Sequence, residues 1–158
     1  MYTSNRKNKL RELELKLGIT FVSIDLLNQA LTHSSFTHES RNLLFSDNER
    51  LEFMGDAVLK LVISEYVFNN FPDKAEGDLT KIRGTVISDV YLAEIARDLN
   101  LGKYLLLGKN EKSSGGEKKK SNLANALEAI IAAVYLDGGL LKARDLITSL
   151  LQNSIEEA

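Results

Sequence analysis

Apolar residues recur at three- and four-residue spacing along most of the chain, and this helical periodicity constrains the fold more than any other feature. The longest such segment lies between Ser46 and Pro72, with apolar side chains at Leu51, Phe53, Met54, Val58, Leu59, Val62, Ile63 and Val67. Ser46 and Glu49 have the spacing of a capping box, which predicts that a helix begins there, and Pro72 prevents its continuation. Few segments alternate as strands do, so we expect an all-α fold.

Shorter segments of the same periodicity predict further helices. Leu10, Leu13 and Leu17 form a stripe that ends at Gly18, and a second stripe begins after Ser23. Further helices are predicted over residues 78–87, 88–99, 121–137 and 140–156, with Gly138 and Gly139 separating the last two. Residues 109–120, which are rich in lysine and have Ser-Ser-Gly-Gly at their centre, are predicted to form a loop.

Length and composition narrow the class of protein. A chain of 158 residues with 44% hydrophobic residues suits one globular domain over residues 1–158. The absence of cysteine excludes disulfides and thiol catalysis, and two histidines are too few for a histidine-rich metal site. We find no apolar run approaching the ~18 residues of a membrane span and no secretory signal, so we expect a soluble, cytoplasmic protein with no membrane partner.

Charge is sorted along the chain although the net charge is only −2. Residues 47–78 hold eight acidic residues against three basic ones, whereas residues 109–120 hold five lysines against two glutamates. An acidic cluster beside a basic, glycine-containing segment suits a site that binds a metal ion and phosphate.

Carboxylates occur at helical spacing in two of the predicted helices. Glu49, Glu52 and Asp56 follow i, i+3, i+7 spacing, so they project from nearly one face. Asn125 and Glu128 are also three residues apart, in a segment so apolar that a buried glutamate needs a cation or hydrogen-bond donors. Oxygen ligands are those that Mg²⁺ prefers, and a bound metal ion could activate water to hydrolyse a phosphodiester. The alternative is a solvated acidic face with Glu49 serving the helix cap.

Residues 48–57, with the sequence NERLEFMGDA, closely resemble the signature segment of the ribonuclease III family. The resemblance continues through ALTHSS at 30–35, EGDL at 76–79, the loop containing Gly115 and Gly116, and ANALEA at 124–129 followed by YLD. It implies an all-helical endonuclease domain that forms a homodimer and binds Mg²⁺, with Mn²⁺ as a substitute. The implied reaction cuts both strands of double-stranded RNA, leaving 5′-phosphate ends and short 3′ overhangs.

The resemblance also assigns roles to individual residues. It implies a catalytic and metal-binding set at four positions, namely Glu52, Asp56, Asn125 and Glu128. The positions that match the family's RNA and dimer cleft are Glu49 and Glu76, and the basic loop with Lys112 and Lys118 would contact RNA phosphates unless it is only a solvated, mobile loop. Phe53 and Met54 match the family's subunit packing, with ordinary core residues as the alternative. His33, Ser34 and Ser35 also match the family, but we interpret them as residues that cap backbone groups.

Two departures from the family pattern limit these expectations. Asn125 stands where the family has aspartate, which removes one negative charge from the ligand set and predicts impaired cleavage. The sequence up to Ala158 also contains no segment resembling a double-stranded-RNA-binding domain. The leading hypothesis is therefore a weakened Mg²⁺-dependent endoribonuclease. The alternatives are a catalytically inactive dimeric module that binds double-stranded RNA and, from another class, an all-α nucleotide pyrophosphohydrolase.

Overall fold

The computed structural model describes residues 3–40 and 46–157, and within these ranges the protein is helical. The α-helices are α1 (Ser4–Leu17), α2 (Ile24–Ala30), α3 (Ser34–Ser40), α4 (Glu49–Asn70), α5 (Glu76–Val86), α6 (Asp89–Asp98), α7 (Lys109–Ser113) and α8 (Lys120–Glu157). Short 3-10 turns cover Leu101–Tyr104 and Gly116–Lys118. The described ranges contain no strand, and Thr32 and Leu106 form an isolated parallel bridge. The expected all-α class is confirmed.

Helix α8 lies at the centre of the core, where α4, α6 and α2 pack around it. Its side chains at Leu127, Ile130, Ile131 and Val134 are almost completely buried. Contrary to the sequence expectation, the stretch Lys120–Gln152 is long and apolar enough to cross a membrane by length and composition alone. However, 56% of its apolar window is buried inside the protein, as is typical of a core helix.

Two predicted helix ends are confirmed. Gly18 adopts the left-handed conformation (φ 66°) after α1, where glycine carries no steric penalty. The backbone is also non-helical at Gly139 (φ 83°), so α8 is broken at the predicted boundary between two helices.

The predicted capping box at the start of α4 is wrong. Ser46 is exposed and lies outside the helix, which begins at Glu49 after Asn48. The buried Asn48 side chain donates instead to the carbonyl oxygen of Ala30 at 3.1 Å, and its backbone N–H donates to Thr32 at 2.9 Å. Contacts with the end of α2, distant in sequence, therefore fix where α4 begins.

The segment 109–120 is also more ordered than predicted, because it forms α7 and the turn Gly116–Lys118. Glu111 accepts hydrogen bonds from Lys119 at 2.7 Å and from Asn122 at 2.8 Å, which tie α7 to the start of α8. Glu39 of α3 accepts from the backbone N–H of Lys109 at 2.7 Å. These contacts argue against a freely mobile loop and fix the lysine-rich segment to the body of the protein.

Candidate active site

Helices α4 and α8 cross at Gly55, and this crossing positions the acidic residues. A Cβ atom placed on Gly55 would lie 1.8 Å from the backbone carbonyl oxygen of Glu128, so only glycine permits the observed approach. Asp56 follows Gly55 directly and Glu52 lies about one turn before it. The crossing therefore brings the two α4 carboxylates to the part of α8 that carries Glu128.

The charges around Glu128 show which acidic residues share one site. Burial, followed by the negative charges of Asp56, Glu52 and Asp89, raises the pKa of Glu128 to about 7. Burial, followed by the charges of Glu49, Asp89 and Asp56, also raises the pKa of Glu52. Desolvation and neighbouring negative charges both disfavour the ionised form of a carboxyl group. The raised pKa values therefore indicate that the acidic residues at this site repel one another.

The site includes an acidic residue that sequence reasoning missed. Asp89 lies in the first turn of α6, and its charge acts on both Glu52 and Glu128. In the sequence, Asp89 falls within the helix predicted over residues 88–99 and has no predicted role in a site. Local sequence gives no signal for Asp89, because its proximity to the other acids depends on how α6 packs against α8.

The other predicted residues lie in varied surroundings. Asn125 is half-buried and lies three residues before Glu128 on α8. Glu49 and Glu76 are exposed in the first turns of α4 and α5, and Glu76 accepts a hydrogen bond from Thr80 at 3.0 Å. The two loop lysines, Lys112 and Lys118, are exposed. Glu76 and these lysines are not among the charges that shift the pKa of Glu52 or Glu128.

The oxygen atoms of the acidic residues and Asn125 are suitable ligands for a divalent cation, although they are not yet close enough together to coordinate one. Within residues 3–40 and 46–157, no group of three carboxylates or imidazoles is already close enough to hold a metal ion. Glu52, Asp56, Asn125 and Glu128 would nevertheless offer only oxygen ligands, which Mg²⁺ prefers. A divalent cation would also offset the neighbouring negative charges, which add to burial in raising the pKa of Glu128. The residues therefore fit such an ion in chemistry and charge.

His33 and Ser35 lie at the beginning of α3, where the Ser35 hydroxyl oxygen is 2.8 Å from His33 Nδ1. The Nδ1 atom of His33 accepts the backbone N–H of Ser35 at 3.1 Å, and the Ser35 hydroxyl oxygen accepts the N–H of Gly108 at 2.9 Å. These contacts support the structural interpretation of this segment.

Comparison with known proteins matches this helical arrangement to one family. Residues 23–155 match the family described as ribonuclease-III-like. Ribonuclease 3 of Pelotomaculum thermopropionicum is 50% identical over 140 residues, which cover 89% of this chain and 58% of that protein. Ribonuclease 3 of Syntrophomonas wolfei is 49% identical over 98% of this chain and 65% of its own length. This chain belongs to the ribonuclease III family.

Solved structures of ribonuclease III support the same assignment. A nuclease domain from Campylobacter jejuni has structural flexibility in a region involved in dimer formation and is 42% identical. It superposes with a TM-score of 0.84 over 91% of this chain and 96% of its own. Dicer from Pichia stipitis is 26% identical, with a TM-score of 0.61 over 84% of this chain and 55% of its own. The ribonuclease III nuclease-domain fold is therefore confirmed.

The family assignment favours an endoribonuclease over the nucleotide pyrophosphohydrolase considered from sequence. The chain spans about three-fifths of the length of the curated ribonuclease 3 relatives that it matches.

The raised pKa of Glu128 gives the ribonuclease III fold a predictable pH dependence without metal. The folded-state pKa of about 7 exceeds the ordinary value of 4.5, so the stabilising contribution of Glu128 is present below about pH 4.5 and is lost as pH rises through about 7. We expect Glu128→Gln to raise the melting temperature in EDTA at about pH 8 and to change it little at about pH 4. Glu94→Gln, at an exposed position on α6, serves as the control. Equal shifts at both pH values would contradict the assigned environment of Glu128.

Proposed function

We propose that this chain is the nuclease domain of a divalent-metal-dependent endoribonuclease that cuts both strands of double-stranded RNA. The observation that carries the proposal is the half-buried Glu128, surrounded by the charges of Asp56, Glu52 and Asp89 at the crossing of α4 and α8. Such a cluster repels an RNA phosphate unless a cation lies between them. The names of the ribonuclease 3 relatives support the same activity.

In this proposal, Glu52, Asp56, Asn125 and Glu128 hold Mg²⁺ or Mn²⁺. The bound metal ion would lower the pKa of water and stabilise negative charge that develops on the phosphate. The tight contact at Gly55 keeps the α4 carboxylates beside Glu128. Lys112 and Lys118, which are exposed near the start of α8, contribute positive charge for the RNA backbone. A duplex read through its shape and phosphates needs no side chains that contact base edges.

Asn125 limits activity in this proposal. Its amide oxygen can bind a metal ion but brings no negative charge, so the protein holds the metal less tightly than it would with aspartate. The half-buried position of Asn125, three residues before Glu128, supports a role in the same ligand set.

We further propose that the domain works as a homodimer through the exposed apolar face of α4. Phe53 is 79% exposed, Leu61 55% and Phe68 70%, and these residues recur at helical spacing on one helix. Met54 is 37% exposed, so neither Phe53 nor Met54 is an ordinary core residue in this chain. Large apolar side chains exposed in a row are typical of an interaction surface. A dimer would place two sites across an RNA duplex, one for each strand.

Phe53→Ser is expected to weaken dimerisation roughly 30-fold or more, because truncating a large aromatic residue that acts as an interface hot spot costs about 2 kcal/mol or more. Sedimentation equilibrium at micromolar concentration measures the change. Leu15→Ser is the matched control, because Leu15 is also highly exposed but lies on α1. If the two variants associate equally well, the α4 face is not the interface.

The test of function is cleavage of an end-labelled RNA duplex in Mg²⁺ and in Mn²⁺, with the original chain, the Asn125→Asp variant and Asn125→Asp combined with Glu128→Gln. Metal-dependent cutting by Asn125→Asp, abolished by the second substitution, supports the enzyme. The alternative is a catalytically inactive dimeric module that binds double-stranded RNA, and Asn125 favours it. That alternative is supported if none of the proteins cuts while all bind the duplex as dimers.

A further inference from the structure

A lysine ammonium group contacts one of the proposed metal ligands. Lys60 Nζ lies 2.7 Å from Asp56 Oδ2, and the two residues are four positions apart on α4. Both side chains are partly exposed, with 53% of Lys60 and 39% of Asp56 accessible. An acid four residues before a base is the favourable order on a helix. The contact is therefore a short ion pair at the edge of the acidic site.

We propose that Lys60 is a positioning residue that acts as a built-in counter-ion on Asp56 and lowers the affinity of the site for its divalent cation. The inference rests on the proposed function, because it takes Asp56 to be a metal ligand. Lys60 is one of the three basic residues in the acidic stretch 47–78. In the structure, its charge also opposes those of Asp56, Glu52 and Asp89 at Glu128.

The physical basis is competition for the same oxygen atoms. The Lys60 ammonium donates a hydrogen bond to Asp56 Oδ2, so that oxygen is not fully available to a metal ion. If a cation binds Asp56, the ammonium either leaves the carboxylate or remains as a positive charge close to a doubly charged ion. Both outcomes weaken metal binding. When no metal is bound, the same ammonium reduces repulsion among the acids.

Calorimetric titration of the whole chain with Mn²⁺ tests this inference. We expect Lys60→Gln to bind Mn²⁺ about three- to tenfold more tightly, since solvent and salt screen the repulsion at this partly exposed position. Lys60→Arg, which keeps the positive charge, is expected to retain the original affinity. The matched control is Lys81→Gln, which removes a lysine from a long 4.0 Å ion pair with Asp78 on α5. The control is expected to change affinity less than twofold, within ordinary surface effects.

A second measurement separates this role from a purely structural one. In EDTA, Lys60→Gln is expected to lower the melting temperature, and saturating Mn²⁺ is expected to remove that difference, because the metal then balances the acids. Unchanged or weaker Mn²⁺ binding by Lys60→Gln would overturn the inference. The titration is repeated with Asn125→Asp. If neither Asn125→Asp nor the original chain binds Mn²⁺, both the proposed metal-dependent function and the counter-ion role fail. If Mn²⁺ binds but its affinity does not change in Lys60→Gln, only the counter-ion role of Lys60 is rejected.

Discussion

Replacing Asn125 by aspartate is expected to raise the rate of duplex RNA cleavage by about a hundredfold at limiting Mg²⁺. Substituting residues that hydrogen-bond to metal ligands changes metal affinity or activity by up to about the same factor. The substitution changes an amide into a carboxylate of nearly the same size. It adds one negative charge at a half-buried position three residues before Glu128. A carboxylate binds Mg²⁺ more strongly than an amide oxygen, so both metal occupancy and the placement of the attacking water improve.

Two further variants make the Asn125→Asp result specific. Asn69→Asp makes the same chemical change at an exposed position near the end of α4 and is expected to leave cleavage unchanged. Glu128→Gln in the Asn125→Asp background is expected to abolish the gain. The initial rate of duplex cleavage is measured for all three proteins over a series of Mg²⁺ concentrations. If Asn125→Asp is no faster than Asn69→Asp, the lost charge at position 125 does not limit activity.

The regular parts of the fold could be predicted because their signals are local. The apolar spacing on α4 and α8 and the glycines at 18 and 139 place helices and their ends by short-range geometry. The start of α4 could not be predicted, because Asn48 is held by backbone groups of Ala30 and Thr32. The glycines and serines of segment 109–120 predict a loop. The contact of this segment with Glu39 depends on tertiary structure and cannot be read from the local sequence.

The candidate site was partly predictable for the same reason. Helical spacing placed Glu52 with Asp56 and Asn125 with Glu128, and the resemblance joined the two pairs. Asp89 and the Lys60–Asp56 ion pair emerged only from the structure. Asp89 belongs to another helix, and its approach depends on tertiary packing. The spacing of Lys60 and Asp56 permits an ion pair, but spacing alone does not show which lysine forms one.

Gly55→Ala is expected to lower the free energy of unfolding by about 3 kcal/mol or more. This loss equals or exceeds the largest losses of stability that overpacking a protein core usually causes. The added Cβ would lie 1.8 Å from the Glu128 carbonyl oxygen and 2.5 Å from its carbonyl carbon. Both contacts are with backbone, so no side chain can rotate away and α4 must separate from α8. Urea denaturation measures the loss of stability. Any Gly55→Ala protein that remains folded is expected to lose metal-dependent cleavage as well, because separation moves Asp56 away from Glu128.

Gly84→Ala is the matched control, because Gly84 also lies within a helix but a Cβ there meets nothing within 4 Å. Alanine is favoured over glycine inside helices by about 1 kcal/mol, so this variant is expected to be slightly more stable than the original chain. The same substitution should therefore have opposite effects on α4 and α5. If Gly55→Ala were as stable as Gly84→Ala, the close crossing of α4 and α8 would not hold the acidic site together. The proximity of Asp56 and Glu52 to Glu128 would then need another structural explanation.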